Sequence, residues 1–421
     1  MVGTGTHTLQ AMCVAGAACG LALVLGLLPG PAALVAWALY LSVVSAGQVF
    51  LGFQWDALLL ESGLLALLVA PWRRRIGRDD PGAVGLAPLW CLVFKVHVLS
   101  GWVKLASGDP TWRDLTALQY HYWTTCLPVW VGWYAAQLPS LVQRGCVLVM
   151  FLIELLAPWA IFGPRRLRHA AAGAMIALQV GIAATGNYGF FNLLTIALCL
   201  TLLDDAALGH WLPLRPAEGA PRPRGGAPRL VRLAAMLPVV VLTLLPMAAR
   251  MIGPDALPVF ARTALEVVAP FRSLNAYGLF ADMTTIRPEI VIEGSDDGST
   301  WRAYEFRWKP GDPARRPEFV EPYMPRLDWQ MWFAALQGYE RTHWFEQFLA
   351  RLLTGAPAVT GLLATVPFAD HPPRYVRAQL YRYEFSTPTE RRQGLWWRRE
   401  LVAPYAPPME ASPRRAPSAG N

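Results

Sequence analysis

The sequence predicts a multi-pass α-helical membrane domain followed by a water-facing α+β domain with a small antiparallel sheet or sandwich. Three observations carry this reading. The 421-residue chain is 54% hydrophobic and only 16% charged, where soluble proteins carry about 25% charge. Its apolar residues concentrate before position 250, in runs close to the roughly 20 residues that a ~30 Å hydrocarbon layer requires. Beyond 250 the pattern changes to a period of two around an Asp-Gly turn signal, which is strand and hairpin chemistry.

Taken in order, the apolar runs place about eight spans near 8–28, 31–52, 55–71, 86–104, 139–162, 169–186, 188–203 and 230–250. The membrane domain is 1–250, with a Pro-, Gly- and Arg-rich linker over 205–229 before the last span. The α+β domain is 251–405, and a Pro-rich tail over 406–421 is expected to be disordered. Within 251–405, Ile290 to Glu293 alternates and ends at Asp297-Gly298, and Trp301 to Trp308 alternates again as a second strand. The run 374–386 repeats the period of two, while 328–339 and 343–353 read as helices.

The net charge of +8 does not indicate nucleic acid, because the arginines cluster in short loops beside apolar runs. Arg73, Arg74, Arg75 and Arg78 follow one run, Arg165, Arg166 and Arg168 another, and Arg215 to Arg232 lie in and after a third gap. With these loops cytoplasmic, residues 52–55, 105–138, 186–189 and everything after 250 fall on the opposite face. The same alternation puts the N-terminus outside, which a further span ahead of it explains. The six cysteines all precede 200 and none has metal-ligand spacing. No nucleotide, zinc-protease or hydrolase fingerprint occurs, so neither metal nor cofactor is expected.

Polar residues near the spans are the candidate chemistry. Gln54, Trp55, Asp56 and Glu61 open the third span. Asp56 and Glu61 are five residues apart, about 140° around a helix, so they form no tight pair. They are either a carboxylate site or partners in bundle-internal ion pairs, with Lys104 or Arg113 for example. Lys104, on the fourth span, is either a desolvated base or a lysine snorkelling to the outer interface. Asp109-Pro110 is a cap followed by a first-turn proline. The helix it starts is expected to run on through Trp112, Arg113, Asp114, His121 and Tyr122. Its functional reading presents His121 and Asp114 to a substrate; its structural reading packs it on the bundle. In the C-terminal domain, Trp301, Trp329, Trp332, Trp344, Trp396 and Trp397 exceed one small core's need. Some of them, with Arg315, Arg316 and Arg326, form a candidate client-binding patch, since Trp and Arg dominate hot spots.

Several long strings resemble a known family. They are GQVFLGFQWDALLLESG (47–63), KLASGDPTWRDLTALQYHYWTTCLP (104–128), TGNYGFFNLL (185–194), the block from Asn275 to Asp312, and PRLDWQMWFAAL (325–336). The chain resembles the lipase maturation factor family over about 47–405, and its membrane part is distantly similar to the group that includes vitamin K-dependent gamma-carboxylase. The resemblance implies a multi-pass membrane protein that assists folding of secreted lipases through its C-terminal domain. It implies the endoplasmic reticulum membrane in a eukaryote; the Ala-, Gly- and Arg-rich composition points instead to a bacterial inner membrane. It carries no catalytic residues.

Two functions therefore stand open. One is a membrane-anchored maturation factor for a secreted lipase or other exported client. In that reading the outer-face residues Gln54, Trp55, Asp109, Trp112, Arg113, Asp114, Tyr122, Asn187 and Tyr188 are a rigid platform. The alternative is a membrane enzyme using Asp56, Glu61, Lys104 or His121 on a lipid, quinone or protein substrate.

Overall fold

The computed structural model describes residues 5–75, 79–209, 222–223 and 229–411. Most of the expected linker, 210–221 and 224–228, and the tail 412–421 lie outside the described residues. Among the described residues six helices are long and apolar enough to cross a membrane: Thr6–Val24, Pro29–Phe50, Gly82–Ala106, Ser140–Phe162, Arg165–Thr185 and Leu233–Ile252.

The third and seventh expected spans are shorter helices, Gln54–Val69 and Phe191–Leu200. At about 1.5 Å per residue they cover roughly 24 and 15 Å. The chain around them makes up the length. After Val69, the backbone of Pro71 and Arg74 bonds back to Gly30 and Leu28 at the start of the preceding helix. Beyond Leu200, Asp204 receives Arg165 Nη2 at 2.8 Å and Leu202 O receives Arg168 Nε at 3.1 Å, both from the start of the preceding long helix. Each short helix thus returns alongside a long neighbour.

The packing does not divide at the composition change near 250. One compact unit comprises Met1–Leu115, Arg144–Ile182 and Phe190–Asp282; the other comprises Thr116–Gln143, Ala183–Gly189 and Met283–Asn421. The first unit is the helical one. The second is built on a five-stranded antiparallel sheet of β1 (Arg287–Ser295), β2 (Arg302–Phe306), β3 (Leu363–Thr365), β4 (Tyr375–Phe385) and β5 (Trp397–Glu410), in the order β3-β2-β1-β4-β5. Among the described residues of this unit it is a single sheet rather than two stacked sheets. β5 continues to Glu410, so 406–410, expected in the tail, are paired with β4.

Alternation along the strands gives the sheet two different faces. Tyr304 and Phe306 point to one face, where Phe306 meets Phe348 of helix His343–Leu353. Arg287, Glu289, Tyr383 and Phe385 share the other, because Arg287 pairs in register with Tyr383. That face is covered by the 116–143 segment: Tyr122 and Trp133 join Tyr383, Phe385, Trp396 and Trp397 in one buried cluster. The central strand β1 is consequently buried on both faces, including Val291, which alternation alone assigns outward.

The helix expected from Asp109 onward is broken. Asp109 caps a short helix, Pro110–Arg113, by accepting from Thr111 N at 2.7 Å. Leu115 then takes a left-handed conformation (φ 57°), and a second helix runs Leu118–Thr124. A leucine carries no signal for that conformation, which usually belongs to Gly or Asn.

Candidate functional site

In the first unit the polar residues expected to carry chemistry are each held by neighbours in the chain. Asp56 lies in the first turn of its helix. Its Oδ2 receives Phe53 N at 3.2 Å and its Oδ1 receives Tyr40 Oη at 2.5 Å, so it closes a helix start. Glu61 pairs with Lys95 rather than Lys104 or Arg113: Lys95 Nζ reaches Glu61 Oε1 at 2.5 Å, both side chains fully buried. Lys95 also donates to Thr243 O at 2.8 Å, while Glu61 Oε2 accepts from Tyr277 Oη at 2.7 Å and Asn275 N at 3.2 Å. One carboxylate thereby ties two spans, a third through Thr243, and the 273–282 segment.

Lys104 does not snorkel. It is buried, and its Nζ donates to Glu154 Oε1 and Oε2 at 2.9 and 2.8 Å and to Ser100 O at 3.0 Å. Charges buried in hydrocarbon persist when paired and hydrogen-bonded, and both lysines meet that condition. His97, between them, is buried with Nδ1 on Val93 O at 2.9 Å. The block from Asn275 completes this unit. Gly278 N donates to Gln54 Oε1 at 3.2 Å, Phe280 O accepts from Trp112 Nε1 at 3.0 Å, and Trp37 Nε1 donates to Ser273 Oγ at 3.1 Å. Trp55 is buried, whereas Arg113 and Asp114 are exposed.

In the second unit the dominant group is Arg287, fully buried on β1. Its Nη1 donates to Trp123 O at 2.9 Å and to Thr125 O, its Nη2 to Cys126 O at 2.9 Å, and its Nε to Glu289 Oε1 at 2.9 Å. Lys309 Nζ takes Glu289 Oε2 at 2.9 Å, and the Arg287 guanidinium lies 5.6 Å over Trp397. The planar five-donor fork of arginine suits several carbonyls at once. Two tryptophans add to this: Trp332 Nε1 donates to Thr124 O at 2.8 Å and Trp133 Nε1 to Ser386 O at 2.9 Å.

Asn187 is the second fastener. Its Nδ2 donates to Leu127 O at 3.2 Å and Glu318 O at 2.9 Å, and its Oδ1 accepts from Val320 N at 2.8 Å and Glu321 N at 3.4 Å. All four amide valences are used. Tyr188 N donates to the Glu321 carboxylate. His121 Nε2 lies 2.7 Å from Tyr188 Oη, and Thr125 Oγ1 donates to the same oxygen at 3.3 Å. Burial pushes the Tyr188 hydroxyl pKa up, which keeps the proton on it.

The expected residues divide between the two units. Gln54, Trp55, Asp56, Glu61, Lys104, Asp109, Trp112, Arg113 and Asp114 belong to the first unit, and His121, Tyr122, Asn187 and Tyr188 to the second. Of the expected client patch, Trp329, Trp332, Trp396 and Trp397 are buried and cannot present a surface. Trp301 lies under Arg377, and Arg315 is held by Phe306 O and Lys309 O. Arg316 is exposed, with Arg326 and Trp344 half-buried. A hollow between Pro128, Lys309, Pro310, Arg315 and Trp397 has only about 10 Å³, room for a single water. Among the described residues no group of three or more His, Cys, Asp or Glu side chains could hold a metal. Sequence reasoning passed over Glu154 and Arg287. A lone acid inside an apolar run was the available signal for Glu154; an arginine opening a strand gave none for Arg287.

Known proteins match both parts of the chain. A family model described as lipase maturation factor transmembrane domain matches residues 2–210, and one described as lipase maturation factor C-terminal domain matches 273–407. Lipase maturation factor 2 of Rattus norvegicus is 37% identical, covering 89% of this chain and 68% of its own length. The Homo sapiens protein of that name is 36% identical with the same coverage. Lipase maturation factor 1 of Bos taurus is 35% identical over 89% of this chain and 70% of its own. No solved structure matches. With both domain models matched and relatives above 30% identity over two thirds of their length, the chain is an integral membrane protein that belongs to the lipase maturation factor family.

Proposed function

We propose that this chain is a membrane-anchored maturation factor that helps an exported lipase, or a related exported protein, reach its folded form. In this reading the second unit stands on the non-cytoplasmic face and binds the client. The observation that carries it is the composition of that unit. Segments 116–143 and 183–189, which follow two apolar helices, pack in one body with 283–411, which follows a third. Two of these segments follow the C-terminal ends of helices Gly82–Ala106 and Arg165–Thr185 in the chain. The arginines at 73–75 and 165–168 lie at the opposite ends of helices Gly82–Ala106 and Arg165–Thr185, which favours the cytoplasm for that opposite side.

The enzymatic alternative gains nothing from the geometry. Asp56, Glu61, Lys104 and His121 are each engaged by structural partners of their own chain. Client contact falls to the accessible part of the expected patch, Arg316 with Trp344 and Arg326. Co-expression of the full chain with a secreted lipase, in membranes lacking other maturation factors, tests the reading. Specific activity of the secreted lipase should rise several-fold at constant lipase protein. Arg316→Glu, at an exposed position, should reduce the gain while leaving the factor's melting temperature unchanged. A lipase equally active without the chain sinks the proposal.

A further inference from the structure

The second unit carries an aromatic patch that the packing does not consume. Tyr134 is 51% exposed and Phe319 43%. Trp130, half-buried, meets both edge-on, with ring centroids at 6.1 and 6.0 Å. Trp130 and Tyr134 lie on helix Trp130–Ala136, while Phe319 comes from the loop between β2 and helix Arg326–Gln337. Trp130 N donates to Pro317 O at 3.1 Å, which fixes the two segments together. A soluble core leaves such rings inside; exposed clusters mark an interaction surface.

We infer that Trp130, Tyr134 and Phe319, with Leu138, form an interfacial belt that rests in the headgroup layer of the bilayer. The occupant follows from what the patch continues into. The buried Gln143 amide donates to Leu138 O at 2.9 Å and Ala136 O at 3.2 Å, folding helix Trp130–Ala136 against the first turn of the helix that begins at Ser140. That helix opens the apolar span Ser140–Phe162, and its Leu141 and Val142 are exposed like Leu138 before them. Arg144, also exposed, comes one turn into that helix, and a long cationic side chain near the start of a span reaches for lipid phosphates. Trp and Tyr have the amphipathic rings that concentrate at membrane–water boundaries. The contribution of Phe319 makes the belt a joint property of the inter-span segment and the C-terminal domain, so it holds the sheet domain against the lipid. This inference does not depend on which leaflet faces the cytoplasm.

Depth-dependent quenching tests it on the full chain in phosphatidylcholine–phosphatidylglycerol vesicles. Cys13, Cys19 and Cys146 are replaced by serine, and Tyr134→Cys, Phe319→Cys and Ser299→Cys are labelled one at a time with an environment-sensitive fluorophore. The buried Cys91, Cys126 and Cys199 must remain unreactive, which reports a folded protein. A nitroxide near the lipid headgroup should quench labels at 134 and 319 at least about twofold more than the label at 299, in the exposed hairpin turn, as an interfacial position requires. Equal quenching at all three sites overturns the inference. So does shielding of 134 and 319 from aqueous iodide without lipid quenching, which assigns the patch to a protein partner or a second copy.

Discussion

At the scale of single residues, the charged groups inside the spans act as ties. Lys104 and Glu154 show this most cleanly, since Glu154 uses both oxygens on one ammonium. A buried pair contributes little net stability against an apolar replacement, but breaking it strands a charge at a cost of about 3–5 kcal/mol. Lys104→Met alone should therefore lower the melting temperature sharply in detergent, while Lys104→Met with Glu154→Leu should recover most of the loss. Lipase maturation by the double variant should match wild type. If stability returns and maturation does not, Lys104 has a chemical role beyond the tie. The sequence made Lys104, Asp56 and Glu61 visible as charges out of place, but not their partners. Lys104 and Glu154 are 50 residues apart and Lys95 and Thr243 are 148 apart, and no spacing rule reaches that far.

At the scale of elements, legibility followed periodicity. The long helices were readable from the length of their apolar runs and the 287–306 hairpin from its period of two, both of them local signals. The break at Leu115 was not, because only the packing of its surroundings imposes φ 57° there. The hairpin turn gives a pH prediction. Asp297 Oδ1 accepts from Ser299 N at 2.8 Å, Thr300 N at 2.7 Å and Ser295 Oγ at 2.9 Å. The Thr300 and Ser299 amides hold its carboxyl well below the ordinary value of 3.8. A depressed carboxylate contributes stability that is complete above its unfolded pKa and fades as pH falls toward its folded one. Amide protection of Ser299 and Thr300 should thus exceed that in Asp297→Asn at about pH 6, and the gap should narrow at about pH 3. An unchanged gap between those two conditions contradicts the assignment of the turn to the ionised side chain.

At the scale of the whole molecule, the C-terminal domain does not contain its own core. A linear reading splits the chain where composition changes, near 250, yet one face of the sheet is closed by residues from between the spans. Removing 116–143 uncovers Tyr383, Phe385, Trp396 and Trp397 and takes away the three carbonyls that hold Arg287. Tyr122 and Trp133 alone bury on the order of 300–500 Å². At about 25 cal/mol per Å² that is at most roughly 8–12 kcal/mol, as large as the net stability of about 5–15 kcal/mol typical of a whole domain. Residues 283–411 expressed alone should accordingly be cut by protease under conditions where the same bonds in the full chain resist, and should bind a hydrophobic dye. Joining 116–143 to that fragment through a flexible linker should restore a substantial part of the protection. A bare fragment as resistant as the full chain would mean that the sheet closes without the inter-span segment. If the dependence holds, the second unit completes its fold only after the helices that flank its loops have been inserted. Maturation activity then becomes available only from a chain already anchored in its membrane.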